Sequence, residues 1–277
     1  MTANMNSPSK SFQVTQIQSR KLTTRPEKVI VEKLVSLTVN GELWLSFMCT
    51  PVDLEALATG FLYNEGIITK NSDIENVRLC ASGDNIDIWL KNSVTKPQDW
   101  QRTSGCSGGL TAVRDTSGLP VNTNGSVLAA NRIGMLVEQL FNSQSLYEIT
   151  GGVHTTGLSD GNSIIFVAED IGRHNTLDKI SGQLLFSGAE LSQKIIITTG
   201  RISSEMLQKS ARIDAAIVIS RTSPTSLSIE NADQLGITLI GYARRNRFTI
   251  YSHPDRIANS RIEKGPVDMD ASNRNDK

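Results

Sequence analysis

Cys106 lies in Arg102-Thr103-Ser104-Gly105-Cys106-Ser107-Gly108-Gly109, a run of glycine and hydroxyl residues that suits neither a helix nor a strand interior. Buried structural cysteines sit among Val, Leu and Ile. Here the neighbours cannot wrap the sulfur, and backbone N–H groups free to point at it favour the thiolate. The pattern predicts a reactive thiol on a flexible loop, against the plainer reading of an incidental small residue. His154, in Gly151-Gly152-Val153-His154-Thr155-Thr156-Gly157, and His174, in Gly172-Arg173-His174-Asn175, are candidates for acid–base work. The commoner fate of such a histidine is a bond to a loop carbonyl. Arg173, Arg201, Arg244, Arg245 and Arg247 form a third group, because planar guanidinium groups suit phosphate or pyrophosphate. The plainer alternative pairs them with carboxylates such as Glu169 and Glu205. Ser203 or Ser204, and Thr225 or Ser226, suit helix capping, worth about 1 kcal/mol apiece, better than catalysis.

The elements that must position these groups fall into two textures. Residues 29–31, 34–39, 43–48 and 86–90 read as half-buried, largely antiparallel strands, interrupted by a helix over residues 51–62 with Pro51 near its start and Gly66 as its stop. Residues 91–125 are rich in Ser, Thr, Gly, Asn, Asp and Pro, a long connection with Cys106 in its middle. Beyond it, helical segments alternate with short apolar runs at 163–168, 194–198, 215–219 and 237–242, with 249–251 as a further short strand. A mostly parallel sheet between helices is the economical topology. In such sheets ligands bind at the carboxyl ends of the strands, where the segments carrying Arg173, His174, Arg201 and Tyr242-Ala243-Arg244-Arg245-Asn246-Arg247 would converge. The expected layout is a flexible tail at 1–21, a β-rich α+β region at 22–125 ending in the mobile Cys106 loop, an α/β domain at 126–255, and a second flexible tail at 256–277.

Composition narrows the function classes. A formal net charge of zero disfavours nucleic acid as a partner, and no apolar run approaches membrane-spanning length, so cytoplasmic residence is the expectation. The three cysteines, Cys49, Cys80 and Cys106, include no C-x-x-C pair, which argues against a zinc site or a disulfide framework. A zinc deaminase would need His-x-Glu and Pro-Cys-x-x-Cys, and neither occurs. A nucleotide-dependent hydrolase using Ser203 or His174 is disfavoured by the lack of a Walker-type loop or a G-x-S-x-G elbow.

Several stretches together resemble the FdhD/NarQ family, sulfur carriers needed to mature formate dehydrogenase. They are Phe61-Leu62-Tyr63-Asn64-Glu65-Gly66-Ile67-Ile68, Ser104-Gly105-Cys106, Gly151-Gly152-Val153-His154, Glu169-Asp170-Ile171-Gly172-Arg173-His174-Asn175-Thr176-Leu177-Asp178-Lys179, Gly200-Arg201-Ile202-Ser203-Ser204-Glu205-Met206 and Ser223-Pro224-Thr225-Ser226-Leu227. The resemblance implies an α/β domain built as a cytidine-deaminase-like three-layer sandwich without the deaminase zinc. It implies that Cys106 receives persulfide sulfur from a cysteine desulfurase, and that Tyr242 to Arg247 bind the bis-molybdopterin guanine dinucleotide cofactor, with GDP as an analogue. A homodimer is also implied, with formate dehydrogenase as client. Many family members carry Cys-x-x-Cys where this chain has Cys106 followed by Gly109, which excludes a two-cysteine relay but leaves a one-thiol persulfide carrier chemically sufficient. A chaperone that inserts the molybdenum cofactor without moving sulfur is the competing expectation.

Overall fold

The computed structural model describes residues 7–98, 101–102, 110–111, 118–123 and 125–258. The chain opens with a hairpin of β1 (Ser9–Gln18) and β2 (Lys21–Ile30), in register from Ser9 opposite Ile30 to Gln18 opposite Lys21. Its two-residue turn holds Ser19 and Arg20 at positive φ, as a tight hairpin turn demands. Residues 9–21 are therefore paired strand rather than loose tail. Thr, Val, Ile and Phe favour extended backbone there, but neither face of the ribbon is buried, so no apolar alternation marked it.

Next come β3 (Lys33–Val39), β4 (Glu42–Cys49), α1 (Leu54–Asn64), β5 (Ile74–Leu79) and β6 (Asn85–Leu90), with the strands in the order β4-β3-β6-β5. Alternation does the work: Val35, Leu37 and Val39 point inward with Leu45, Phe47, Ile86 and Ile88 onto Leu57, Phe61 and Leu62 of α1. Each such side chain contributes roughly 1.5–3 kcal/mol of burial. The helix starts at Leu54 rather than at Pro51 because Asp53, its N-cap, sits in the left-handed region at φ 51°. Two short strands, β7 (Gln101–Arg102) and β8 (Leu110–Thr111), pair antiparallel on either side of residues 103–109.

The second body begins with β9 (Leu128–Ala129), α2 (Ala130–Asn142), α3 (Leu146–Thr150), β10 (His154–Ser159), β11 (Ile164–Asp170) and α4 (Arg173–Ser187). It continues through β12 (Ile195–Thr198), α5 (Ser204–Arg212), β13 (Ile217–Ser220), α6 (Ser226–Gln234), β14 (Thr238–Gly241), β15 (Thr249–Ile250) and β16 (Ile257–Ala258). Six of these strands form one sheet in the order β11-β10-β12-β13-β14-β15. Ile196, Val218 and Leu239 face α4, α5 and α6, while Ile195, Ile197, Ile217, Ile219 and Ile240 face α2, so helices cover both sides.

The sheet departs from the mostly parallel expectation. β12–β13 and β13–β14 pair parallel, but β10 lies antiparallel between β11 and β12, and β15 is antiparallel on β14. β10 has the sequence HTTGLS, which reads as loop, yet its last five residues are buried. Its threonine hydroxyls are satisfied by Gln144, Thr176 and Thr198, and this removes the penalty for burying them. The domain limits shift as well. Leu119 joins the α/β core, and Arg256 donates to the carbonyls of Gly236 and Asn122 while β16 pairs with β9, so residues 256–258 belong to the fold rather than to a tail.

The two bodies meet where α1 crosses α4. A Cβ on Gly60 would overlap the carbonyl oxygen of Asp178, and one on Gly182 would overlap that of Ala56. Gly182→Ala should therefore lower stability by about 1–3 kcal/mol through overpacking, although alanine in a helix is ordinarily favoured by up to ~1 kcal/mol. Urea unfolding measures it, and a stabilised variant would mean the helices can part without cost.

Candidate functional site

Because β11, β12, β13 and β14 run one way and β10 the other, the ends of the first four and the start of β10 share one edge. His154 thus reaches the edge that carries Arg173, His174 and Arg201, paired in register opposite Asp170 with its Nδ1 3.5 Å from Thr199 Oγ1. The antiparallel insertion of β10 is what brings the two glycine-flanked histidines together.

Much of the Glu-Asp-Ile-Gly-Arg-His-Asn stretch is structural. Rather than pairing with an arginine, Glu169 accepts from the backbone N–H groups of Ser145, Leu146 and Tyr147 at 2.7–2.9 Å, capping the start of α3. Asp170 takes Lys179 Nζ at 2.7 Å, Thr50 N at 3.0 Å, and Gly172 N and Asn175 Nδ2 at 2.8 Å, which ties the end of β4 to the sheet edge. One turn further along α4, Asp178 holds Lys209 of α5 and Asn64 of α1 at 2.6–2.7 Å. Burial raises the Asp178 carboxyl above its ordinary range, with Lys209 opposing the shift. Ser203 and Thr225 cap α5 and α6, as their positions suggest.

Arg173 and His174 open the first turn of α4. Arg173 is buried, and the loop after β12 lies on it, since a Cβ at Gly200 would stand 2.9 Å from Arg173 Cβ. His174 is buried, and among the described residues neither ring nitrogen has a hydrogen-bond partner. Desolvation, then Lys209, Arg173 and His154, hold its pKa well below the ordinary 6.5. Desolvation, then Arg173, lower that of His154, with Arg201 adding to the shift and Asp170 opposing it. Both imidazoles are therefore neutral near pH 7.

The sign for stability follows. Below the unfolded value of 6.5 the unfolded chain binds a proton that folded His174 refuses, so stability falls as pH drops through that value and on toward the depressed folded value. The slope is at most ~1.4 kcal/mol per pH unit for one group. Melting temperature followed from about pH 7.5 to 5 should fall less steeply in His174→Gln. Parallel curves for the two proteins would refute the assignment.

The other predicted residues gather further along the edge. Arg244 does not project as a free donor, because its Nη1 donates to the carbonyls of Arg221 at 2.6 Å and Ala243 at 2.9 Å. Ala243 is buried, and Arg244 N bonds Arg247 O at 2.8 Å to close the turn. Tyr242, at φ 52°, and Arg247 are exposed. Arg245 turns toward α2, with Nε 3.8 Å from Glu138, and with Asn246, Phe248, Met135 and Asn131 it borders an open groove of about 630 Å³. β13 separates the roots of the Arg201 and Tyr242 loops, a gap of about 10 Å. The edge thus carries two groups, one around His154, His174, Arg173 and Arg201, the other around Tyr242 to Arg247. Between them stands Arg221, which sequence reasoning did not single out. Its guanidinium lies 4.5 Å from the Phe141 ring centroid, and desolvation, then Arg244, lower its pKa. The signal was there: Arg221 follows its strand as Arg201 follows β12.

Cys106 lies outside the described residues. Cys49 is buried, and burial with the Asp170 charge pushes its pKa up to about 12. Cys80 donates from Sγ to Asp84 at 2.9 Å and accepts from Asn85 N at 3.1 Å, within a turn. Burial thus leaves Cys49 unprepared as a nucleophile, while the Cys80 sulfur is engaged within its own turn. Among the described residues no group of three or more His, Cys, Asp or Glu is arranged to hold a metal ion, and no helix is long and apolar enough to cross a membrane.

Comparison with known proteins matches residues 30–258 to the model of the FdhD/NarQ family. A sulfur carrier protein FdhD of Staphylococcus aureus (strain MRSA252) is 31% identical over 253 residues, covering 89% of this chain and 96% of that protein. Its counterpart in Bacillus subtilis (strain 168) is 32% identical over 237 residues, covering 83% and 90%. Among solved structures, a candidate formate dehydrogenase accessory protein from Desulfotalea psychrophila superposes with a TM-score of 0.74 at 28% identity, over 91% of this chain and 100% of that one.

Proposed function

Since the chain belongs to the FdhD/NarQ family, we propose that it is a cytoplasmic sulfurtransferase that carries sulfur for the maturation of formate dehydrogenase. The observation that carries the reading is the disposition of its two described cysteines, Cys49 and Cys80, within a chain similar along most of its length to named sulfur carriers. Cys49 is buried and Cys80 is bonded within a turn, which leaves Cys106 as the carrier thiol.

The Cys106 thiolate attacks the outer sulfur of a donor persulfide on a cysteine desulfurase. The donor S–S bond breaks, the donor cysteine leaves as thiolate, and Cys106 becomes Cys–S–SH with no net oxidation. Onward delivery to bis-molybdopterin guanine dinucleotide as a sulfide ligand takes two electrons, drawn from a thiol reductant, and regenerates the Cys106 thiol. The donor set suits that cofactor as the substrate: exposed Arg201, Tyr242, Asn246 and Arg247 offer hydrogen bonds to phosphate and nucleobase, while Arg244 and Ala243 hold the loop that presents them. Arg173 and His174 line the other part of the edge, and GDP should bind as an analogue. The strand order with β10 reversed between β11 and β12 supports the cytidine-deaminase-like reading of the α/β part. A homodimer completes the proposal.

Intact mass after incubation with a cysteine desulfurase and cysteine tests it. A gain of one sulfur mapped to Cys106 is expected. No gain, or a gain on Cys49 or Cys80, would count against the reading.

A further inference from the structure

The polar core behind the edge is thoroughly bonded: Asp170, Asn175, Asp178, Lys179 and Lys209 all have partners at 2.6–3.2 Å. His174 stands out against this, since it is 4% exposed and neither ring nitrogen has a partner among the described residues. An unmade bond on a buried polar group costs about 1–3 kcal/mol, and native interiors keep few of them. Loose packing does not explain the orphan, because the next turn of α4 is pinned to α5 by Asp178 and Lys209.

The position explains what the ring could receive. His174 is the second residue of a fifteen-residue helix whose N-cap, Gly172, has no side chain to bond the N–H groups of the first turn. That end attracts anions. The cations acting on His174 and His154 are Lys209, Arg173 and Arg201, with the Asp170 carboxylate opposing them at His154. Asp178 answers Lys209, and Asp170, which accepts from Gly172 N and Asn175 Nδ2 at this end of α4, answers Lys179, so both carboxylates are already paired.

We propose that His174 and the N-terminus of α4 form a binding site for a small, soft sulfur anion, a persulfide or hydrosulfide, with the imidazole N–H as hydrogen-bond donor. The proposal rests on the sulfur-carrier reading. Burial decides between sulfur and oxygen anions: both ring nitrogens are out of contact with solvent, and stripping water from a compact, strongly hydrated phosphate costs more than from a large, diffuse sulfur. An uncharged donor suits a monoanion, as it adds no further cation to a site already flanked by Arg173.

The test uses the full chain with ¹⁵N-labelled histidine, titrated with hydrosulfide at mildly alkaline pH and, separately, with inorganic phosphate. Hydrosulfide should move the ring signals of one histidine, assigned to His174 by their loss in His174→Gln. Affinity should weaken about tenfold or more in His174→Leu and be partly restored in His174→Gln, which keeps a donor. If the leucine variant fails to fold, the ring signals of the unaltered protein still decide. Ring signals unmoved at saturating hydrosulfide would mean that an ordered water satisfies the imidazole, and phosphate binding as tight as hydrosulfide would make this an oxyanion site; either result overturns the proposal. A chain that binds hydrosulfide at His174 but gains no sulfur on Cys106 would keep the site and lose the carrier reading.

Discussion

Lys179→Met should destabilise the fold by about 3–5 kcal/mol, the usual cost of removing one partner of a buried ion pair. Lys179 and Asp170 are both fully buried, with Nζ 2.7 Å from the carboxylate and further bonds to the carbonyls of Thr50 at 3.2 Å and Glu169 at 3.1 Å. Methionine fills similar volume without opening a cavity, so the loss reports the charge left on Asp170. The Asp170 carboxylate also receives Thr50 N from the end of β4, so the β-rich body and the α/β body loosen together. Melting temperature should drop on the order of 10 °C. Adding Asp170→Asn should recover part of the loss, because a neutral pair no longer buries an orphan charge. A single variant costing under about 1 kcal/mol would show that Asp170 does not need its partner.

Cys106→Ala should abolish support of formate dehydrogenase in cells lacking this protein while leaving the melting temperature nearly unchanged. The chemical step needs a thiolate, and no other cysteine can replace it: Cys49 is held protonated by burial, Cys80 is bonded to Asp84, and the sequence from 91 to 125 holds no second cysteine. Folding should survive because the substitution is small and the neighbouring Ser, Thr and Gly residues offer little to pack against. Affinity for GDP measured on the same protein separates the readings further. Retained affinity with lost complementation supports sulfur transfer; full complementation would favour a chaperone that inserts the cofactor without moving sulfur; loss of both affinity and stability would make Cys106 structural.

The sequence by itself determined the elements whose signal is local. Val35-Ser36-Leu37-Thr38-Val39 and Ile195-Ile196-Ile197 declare their strands by period and β-branching, and the hydroxyl pairs Ser203-Ser204 and Thr225-Ser226 declare the starts of α5 and α6, with the structure selecting Ser203 and Thr225 as the caps. With four like-directed strands, the shared edge for Arg173, Arg201 and Tyr242 to Arg247 followed as well. What only the tertiary structure decided rests on partners distant in the chain. β10 is a strand because Gln144, Thr176 and Thr198 satisfy its hydroxyls, and its reversal carries His154 to the edge. The β1–β2 ribbon pairs backbone to backbone with neither face buried, so its side chains carry no alternating signature. Glu169 and Asp170 are spent on α3, Thr50 and Lys179, and Arg244 on the Arg221 carbonyl, so residue type alone overstated their availability to a ligand. Spacing along a chain fixes periodicity, whereas whether a polar group is free or satisfied depends on which groups folding brings within 3 Å of it.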